Sequence, residues 1–162
     1  MRAGWILAAT LAGGCAASPR MARLQPCVFE LKDVVHERSE DEFTVRFRLQ
    51  FRVINPNPYA VRLDSFRASA QVEGMSLGLV YLPQALYVPA GGTEIMKIPM
   101  DVGTHAVPGA LGAVRNPKST FRFGGSMLLA GIDPGGKSGE PAVSSEFPVE
   151  IQGPSTPGPS AP

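Results

Sequence analysis

Phe43-Thr44-Val45-Arg46-Phe47-Arg48-Leu49-Gln50-Phe51-Arg52-Val53 alternates without a fault. Every odd position is apolar and every even position is polar. A period of two places successive side chains on opposite faces of an extended chain, so this run is a β-strand with one face in a core and one in water. Asn55-Pro56-Asn57-Pro58 ends it, because two prolines remove two backbone donors and asparagine favours turns. A second strand follows from Tyr59. Its apolar phase is odd at Tyr59, Val61 and Leu63 and even at Phe66, Ala68, Ala70 and Val72. A slip of phase over Asp64-Ser65 is what a β-bulge produces.

Working outward, a shorter strand is expected over Cys27–His36, joined to the long one by Ser39-Glu40-Asp41-Glu42. Gly74 and Gly78 punctuate the next turn and a short strand. Leu82–Pro89 and Thr93–Asp101 are separated by the turn signal Ala90-Gly91-Gly92. Val107, Ala110, Leu111 and Val114 have helical spacing, with Thr104 as the expected cap and Asn116-Pro117 as the stop. Gly109 and Gly112 keep that helix short. Strands resume at Thr120–Ala130 and Val143–Ile151. The expected fold is all-β, an antiparallel sandwich with one short helix.

The composition agrees. In 162 residues there are 18 Gly and 16 Pro, about a fifth of the chain, which argues against a mostly helical protein. Hydrophobic residues make up 44%, enough for one domain with a real core. A formal charge of +1 supplies no electrostatic reason to expect nucleic acid.

The ends read differently from the middle. Arg2, then an apolar run from Trp5 to Ala12, then Gly13-Gly14, has the anatomy of a secretory signal peptide. The run is far shorter than the roughly 20 residues of a membrane-spanning helix. Leu11-Ala12-Gly13-Gly14-Cys15 resembles the lipobox of bacterial lipoproteins, where the Cys receives a diacylglycerol, although here the Leu stands four residues before the Cys. Two or more acyl chains give stable anchoring. The alternative is ordinary cleavage near Ala16-Ala17, which discards Cys15. Ala16, where an Asp would signal inner-membrane retention, directs the expected lipoprotein to the outer membrane, facing the periplasm. Loss of residues 1–14 removes Arg2 and brings the net charge to zero. The expected organisation is a signal peptide over 1–14, a lipidated Cys15 and tether over 15–27, a β-domain over 28–152, and a Pro/Gly/Ser tail over 153–162.

The long alternating strand, the Asn55-Pro56-Asn57-Pro58-Tyr59 run, the bulged strand ending at Gly74, Val88-Pro89-Ala90-Gly91-Gly92, and the helix before Phe121-Arg122-Phe123-Gly124-Gly125 together resemble the WHy (water stress and hypersensitive response) domain of the late embryogenesis abundant type 2 family, which includes bacterial lipoproteins. The resemblance spans about Val28 to Gln152. It implies a seven-stranded sandwich with one helix, no cofactor, no catalytic residue, and a role in desiccation and stress protection.

Residues that could carry chemistry are few. Gly131-Ile132-Asp133-Pro134-Gly135-Gly136-Lys137-Ser138 matches the phosphate-binding expression GxxxxGK[ST]. That chemistry needs a helix directly after Lys-Ser, and Gly139-Glu140-Pro141 is a poor helix start. A hairpin loop is the expected reading, and no nucleotide partner is expected. Arg46, Arg48 and Arg52 share one strand face and could meet an anionic lipid or polysaccharide surface. The competing reading is pairing with acids on adjacent strands, with Glu30 and Asp33 the candidates. His36, His105 and Cys27 are too few and too scattered for a metal site, and Cys27 reads as a small buried apolar residue. Catalytic residues, metal and cofactor are thus all expected to be none. The expected protein is a non-enzymatic envelope lipoprotein whose partners are the membrane and other envelope proteins or lipids. The alternative is a lipid- or polysaccharide-binding module using the Arg stripe or the space between the sheets.

Overall fold

The computed structural model describes residues 23–37, 44–132 and 141–154. The signal peptide, Cys15, the Ser39–Glu42 connection, the Lys137-Ser138 motif and the tail from residue 155 lie outside them.

Eight strands and one helix follow in the order β1 (Val28–Glu37), β2 (Thr44–Ile54), β3 (Val61–Val72), β4 (Met75–Tyr81), β5 (Leu86–Val88), β6 (Thr93–Gly103), α1 (Val107–Arg115), β7 (Thr120–Ile132) and β8 (Pro141–Pro154). They form two antiparallel sheets, one ordered β1-β2-β6 and the other β4-β3-β7-β8, with β5 also paired to β3. The core lies between the sheets. From β2 come Phe47, Leu49, Phe51 and Val53, all fully buried. From the facing sheet come Phe66, Phe121, Phe123 and Leu129. Phe51 meets Phe123 edge to face at 5.1 Å and Phe66 at 6.0 Å. Aromatic pairs at these spacings add a directional preference to the area they bury.

The resemblance implies seven strands and the described residues form eight. The reason is the bulge. The register of β3 against β7 shifts between Leu63 and Ser65, at the phase slip read from the sequence. On the other side of β3, the pairing breaks at the same level. Arg67–Val72 pair with β4, and Val61–Leu63 pair with β5. One edge strand is therefore divided in two, with the Leu82 amide donating to the Phe66 carbonyl between the halves at 2.9 Å.

The β3–β4 connection is the two-residue turn Glu73-Gly74, both at positive φ (48° and 80°), since Val72 pairs directly with Met75. That is the turn whose twist matches a hairpin. The helix differs from expectation at its start. Its N-cap is Ala106, without a side-chain hydrogen bond, and not Thr104. Pro108 sits in the first turn and has no amide to leave unpaired, so a polar cap has less to satisfy. The stop falls at Asn116 as expected, its amide donating to the Ala113 carbonyl.

At the chain's two ends the packing goes beyond the expected β-domain. Leu24 and Cys27, assigned to the tether, are buried in the core. Gly153 and Pro154, assigned to the tail, continue β8 against Phe121 and Thr120.

Candidate functional site

Asn55 and Asn57 are the two asparagines of the turn after β2, and both are buried, at 1% and 0% exposure. A buried amide is costly unless all its groups are bonded. Here they are. The Asn55 side-chain amide donates to the carbonyls of Tyr59 (2.9 Å), Val88 (3.3 Å) and Pro89 (2.8 Å). Its Oδ1 accepts from the Asn57 backbone and side-chain amides, both at 2.9 Å. Asn57 in turn clamps Gln25 from both sides. Its Oδ1 accepts from the Gln25 amide at 2.8 Å and its Nδ2 donates to the Gln25 carbonyl at 2.9 Å.

The main chain completes the network. The Asn55 amide donates to the Gly92 carbonyl, and the Gly91 amide to the Asn57 carbonyl, both at 3.0 Å. Gly91 has φ 58°, a conformation that a side chain disfavours. The Asn-Pro-Asn-Pro run and the Val-Pro-Ala-Gly-Gly turn, separate in sequence, are thus one bonded unit closing one end of the sandwich. The N-terminal segment is fastened to that same end through Gln25.

Three of the large apolar side chains exposed on the surface stand at this end: Val28 (52%), Tyr87 (54%) and Ile95 (46%). Val28 is opposite Ile54, Ile54 is opposite Thr93, and Tyr87 is opposite Arg62 at the start of β3.

The arginine stripe lies on the outer face of the smaller sheet. Each guanidinium has a carboxylate beside it: Arg46 with Asp101 at 2.7 Å, Arg48 with Glu37 at 2.7 Å, Arg52 with Glu30 at 2.5 Å. Glu30 is one of the acids named from the sequence. Asp33 is not used, because the bulge between Leu31 and Asp33 sets it opposite Gln50, while Glu37 and Asp101 stand nearer the arginines. The Arg46 hydrogen bond holds the Asp101 carboxyl below its usual range. All three pairs are substantially exposed, so Arg46→Ala is expected to cost under about 1 kcal/mol in a denaturation experiment.

Cys27 is buried, and desolvation pushes its thiol up to about 11 from 9.0. Such a thiol is unreactive at neutral pH. Because the folded-state value is the higher one, the stabilisation is present below pH 9 and is lost as pH rises towards 11. The two-unit difference is worth about 2–3 kcal/mol by the top of that window. Guanidinium unfolding between pH 8 and 11 should show a drop in wild type that is shallower in Cys27→Ala. Equal slopes would refute it.

His36 is on β1, 5.6 Å from the Phe47 ring, and His105 lies between β6 and α1. Among the described residues no group of three His, Cys, Asp or Glu could hold a metal, and no helix is long and apolar enough to cross a membrane. Gly131 and Ile132, the first residues of the phosphate-loop expression, belong to β7, and the chain from Pro141 is a strand antiparallel to it, a hairpin as expected. In the sequence Asn55 and Asn57 read as turn formers only. The signal available was their spacing of two, which lets one side chain bond the next residue but one.

These features define a β-sandwich domain held together at one end by buried asparagines. The family model described as "Late embryogenesis abundant protein" matches residues 50–132, and the chain belongs to that family, in its type 2 branch. No curated protein matches the sequence. Among solved structures, the solution structure of an Arabidopsis thaliana protein superposes with a TM-score of 0.53 at 12% identity, over 85% of this chain and 86% of that one. A crystal structure of a protein from Archaeoglobus fulgidus gives a TM-score of 0.39 at 11% identity, over 78% and 98%. At 12% identity the likeness to the Arabidopsis protein is one of fold.

Proposed function

We propose that this chain is a non-enzymatic, stress-protective domain of the WHy kind, anchored to the cell envelope by a lipid on Cys15, on the periplasmic side of the outer membrane. Family membership supports a protective, non-catalytic role. The observation that carries the anchoring is the Gln25 clamp. It fixes the point where the N-terminal segment enters the domain at the Asn-Pro-Asn-Pro end, which also presents Val28, Tyr87 and Ile95. A tether from Cys15 then brings that end to the membrane, where apolar side chains gain by leaving water. The wet faces of both sheets are left to meet partly unfolded proteins or other envelope partners. The competing reading, an anionic lipid or polysaccharide bound by Arg46, Arg48 and Arg52, has less support, because each of those charges is balanced.

The test is membrane fractionation of the full chain and of Cys15→Ser, with survival of a deletion strain after drying or osmotic shock. Wild type should sediment with membranes, the variant should be released, and the deletion strain should die sooner. Unchanged fractionation overturns the anchor; unchanged survival overturns the protective role.

A further inference from the structure

Gly124 lies in the middle of β7, where glycine weakens a strand. No backbone angle requires it, since its φ is not positive. No neighbour requires it either, because a Cβ there would meet nothing within 4 Å. What its lack of a side chain does is leave open a hollow of about 480 Å³ on the outer face of the larger sheet.

The walls come from three adjacent strands in register. Ser69, Gly124 and Glu150 form one row, and Gln71, Arg122 and Gln152 the next. A second hollow of about 340 Å³ shares Arg122 and Gln152 and continues to Lys118 and Glu73. Along β7 the two extend over Thr120 to Gly124, roughly 13 Å at the rise of a strand. Phe123 and Ile151, which also line the first hollow, are buried core residues and offer it little apolar surface. The polar lining is two hydroxyls, two carboxamides, two cations and two carboxylates. Among the described residues Gln71, Arg122, Glu150 and Gln152 make no side-chain hydrogen bond or ion pair, whereas Arg46, Arg48, Arg52 and Arg62 are each ion-paired.

Two cations against two anions give the groove no net charge, which favours neither an anion nor a cation. Neither hollow exposes a large apolar side chain, which disfavours an acyl chain or an aromatic ring. Donors and acceptors interleaved at strand spacing, on a sheet whose own backbone is already paired, fit a ligand that carries many hydroxyls. We infer that this groove binds a neutral carbohydrate, a short oligosaccharide lying along β7 over Gly124. The carboxamides, Arg122 and Glu150 bond its hydroxyls, and Gly124 lets a sugar ring approach the sheet. The site lies on a side face of the sandwich, away from the Asn-Pro-Asn-Pro end, and does not depend on how the chain is anchored.

Isothermal titration of the full chain in a sugar-free detergent, with maltotriose and chitotriose as neutral probes and a sulfated disaccharide as the anionic one, tests it. Saturable binding of a neutral probe is expected, with slowed hydrogen exchange over residues 120–126. Gly124→Val should weaken binding about tenfold or more while leaving the melting temperature equal or higher. Gln152→Ala, a surface change, should weaken it without filling the groove. No saturable binding of either neutral probe, binding of the anionic probe alone, or undiminished binding by Gly124→Val overturns the inference.

Discussion

Asn55→Ala is expected to lower the unfolding free energy by roughly 3–5 kcal/mol. Its side chain supplies the donors for the Tyr59, Val88 and Pro89 carbonyls and the acceptor for both amides of Asn57. At 1% exposure the site is closed to bulk water, so truncation orphans several buried polar groups at once. Each orphan costs about 1–3 kcal/mol. Part of the sum is recovered by relaxation of the turn, hence the middle of the range. Against a whole-domain stability of about 5–15 kcal/mol this is a large fraction. Denaturant unfolding of wild type and Asn55→Ala measures it, and a difference below about 1 kcal/mol refutes the account. Asn57→Ala should behave otherwise. Its main loss is the two bonds to Gln25, so the N-terminal segment undocks before the sandwich opens. Hydrogen exchange at residues 24–27 and tryptic cleavage after Arg23 should both accelerate more than global unfolding does.

The contrast between those two asparagines marks where the sequence stops being legible. The strands are legible because a half-buried sheet imposes a period of two on the chain that forms it, and the bulge at Asp64 is legible because it breaks that period. Both are local. The helix stop is local too, whereas its start is not: the helix begins at Val107, three residues beyond Thr104, and its cap Ala106 is followed two residues on by Pro108, which has no amide for a polar cap to bond. The bonds from Asn55 to Pro89 and from Asn57 to Gln25 join positions more than thirty residues apart. No pattern near either asparagine names its partner. The groove is harder still. Ser69, Gln71, Arg122, Glu150 and Gln152 are ordinary wet-face residues in their own strands, and only the register of β3, β7 and β8 assembles them. The one trace in the sequence is a pair of glycines inside a strand pattern, a signal of close approach.

Those two glycines should respond oppositely to the same substitution. A Cβ on Gly125 would overlap the Arg67 carbonyl oxygen and lie 2.6 Å from the Ala68 Cα and 2.8 Å from the Arg67 carbonyl carbon. All three are main-chain atoms of β3, paired with β7 at the centre of the larger sheet, so no side-chain rotation relieves the clash. Either the two strands separate locally, losing ladder hydrogen bonds and exposing the core around Phe66 and Phe123, or the chain does not reach this fold. Gly125→Ala should therefore cost more than about 4 kcal/mol, in the range reserved for a few severe mechanisms. At Gly124 the added methyl meets nothing within 4 Å, and its effect falls on the unfolded chain, whose freedom it reduces. Gly124→Ala should be neutral or stabilising, by about 0.4–1 kcal/mol. Thermal melts followed by circular dichroism separate the two, and equal shifts would contradict the account. If the contrast holds, Gly125 is kept by packing and Gly124 is not. A glycine that the fold would be at least as stable without, set at the floor of a polar groove, is then accounted for by what the groove admits.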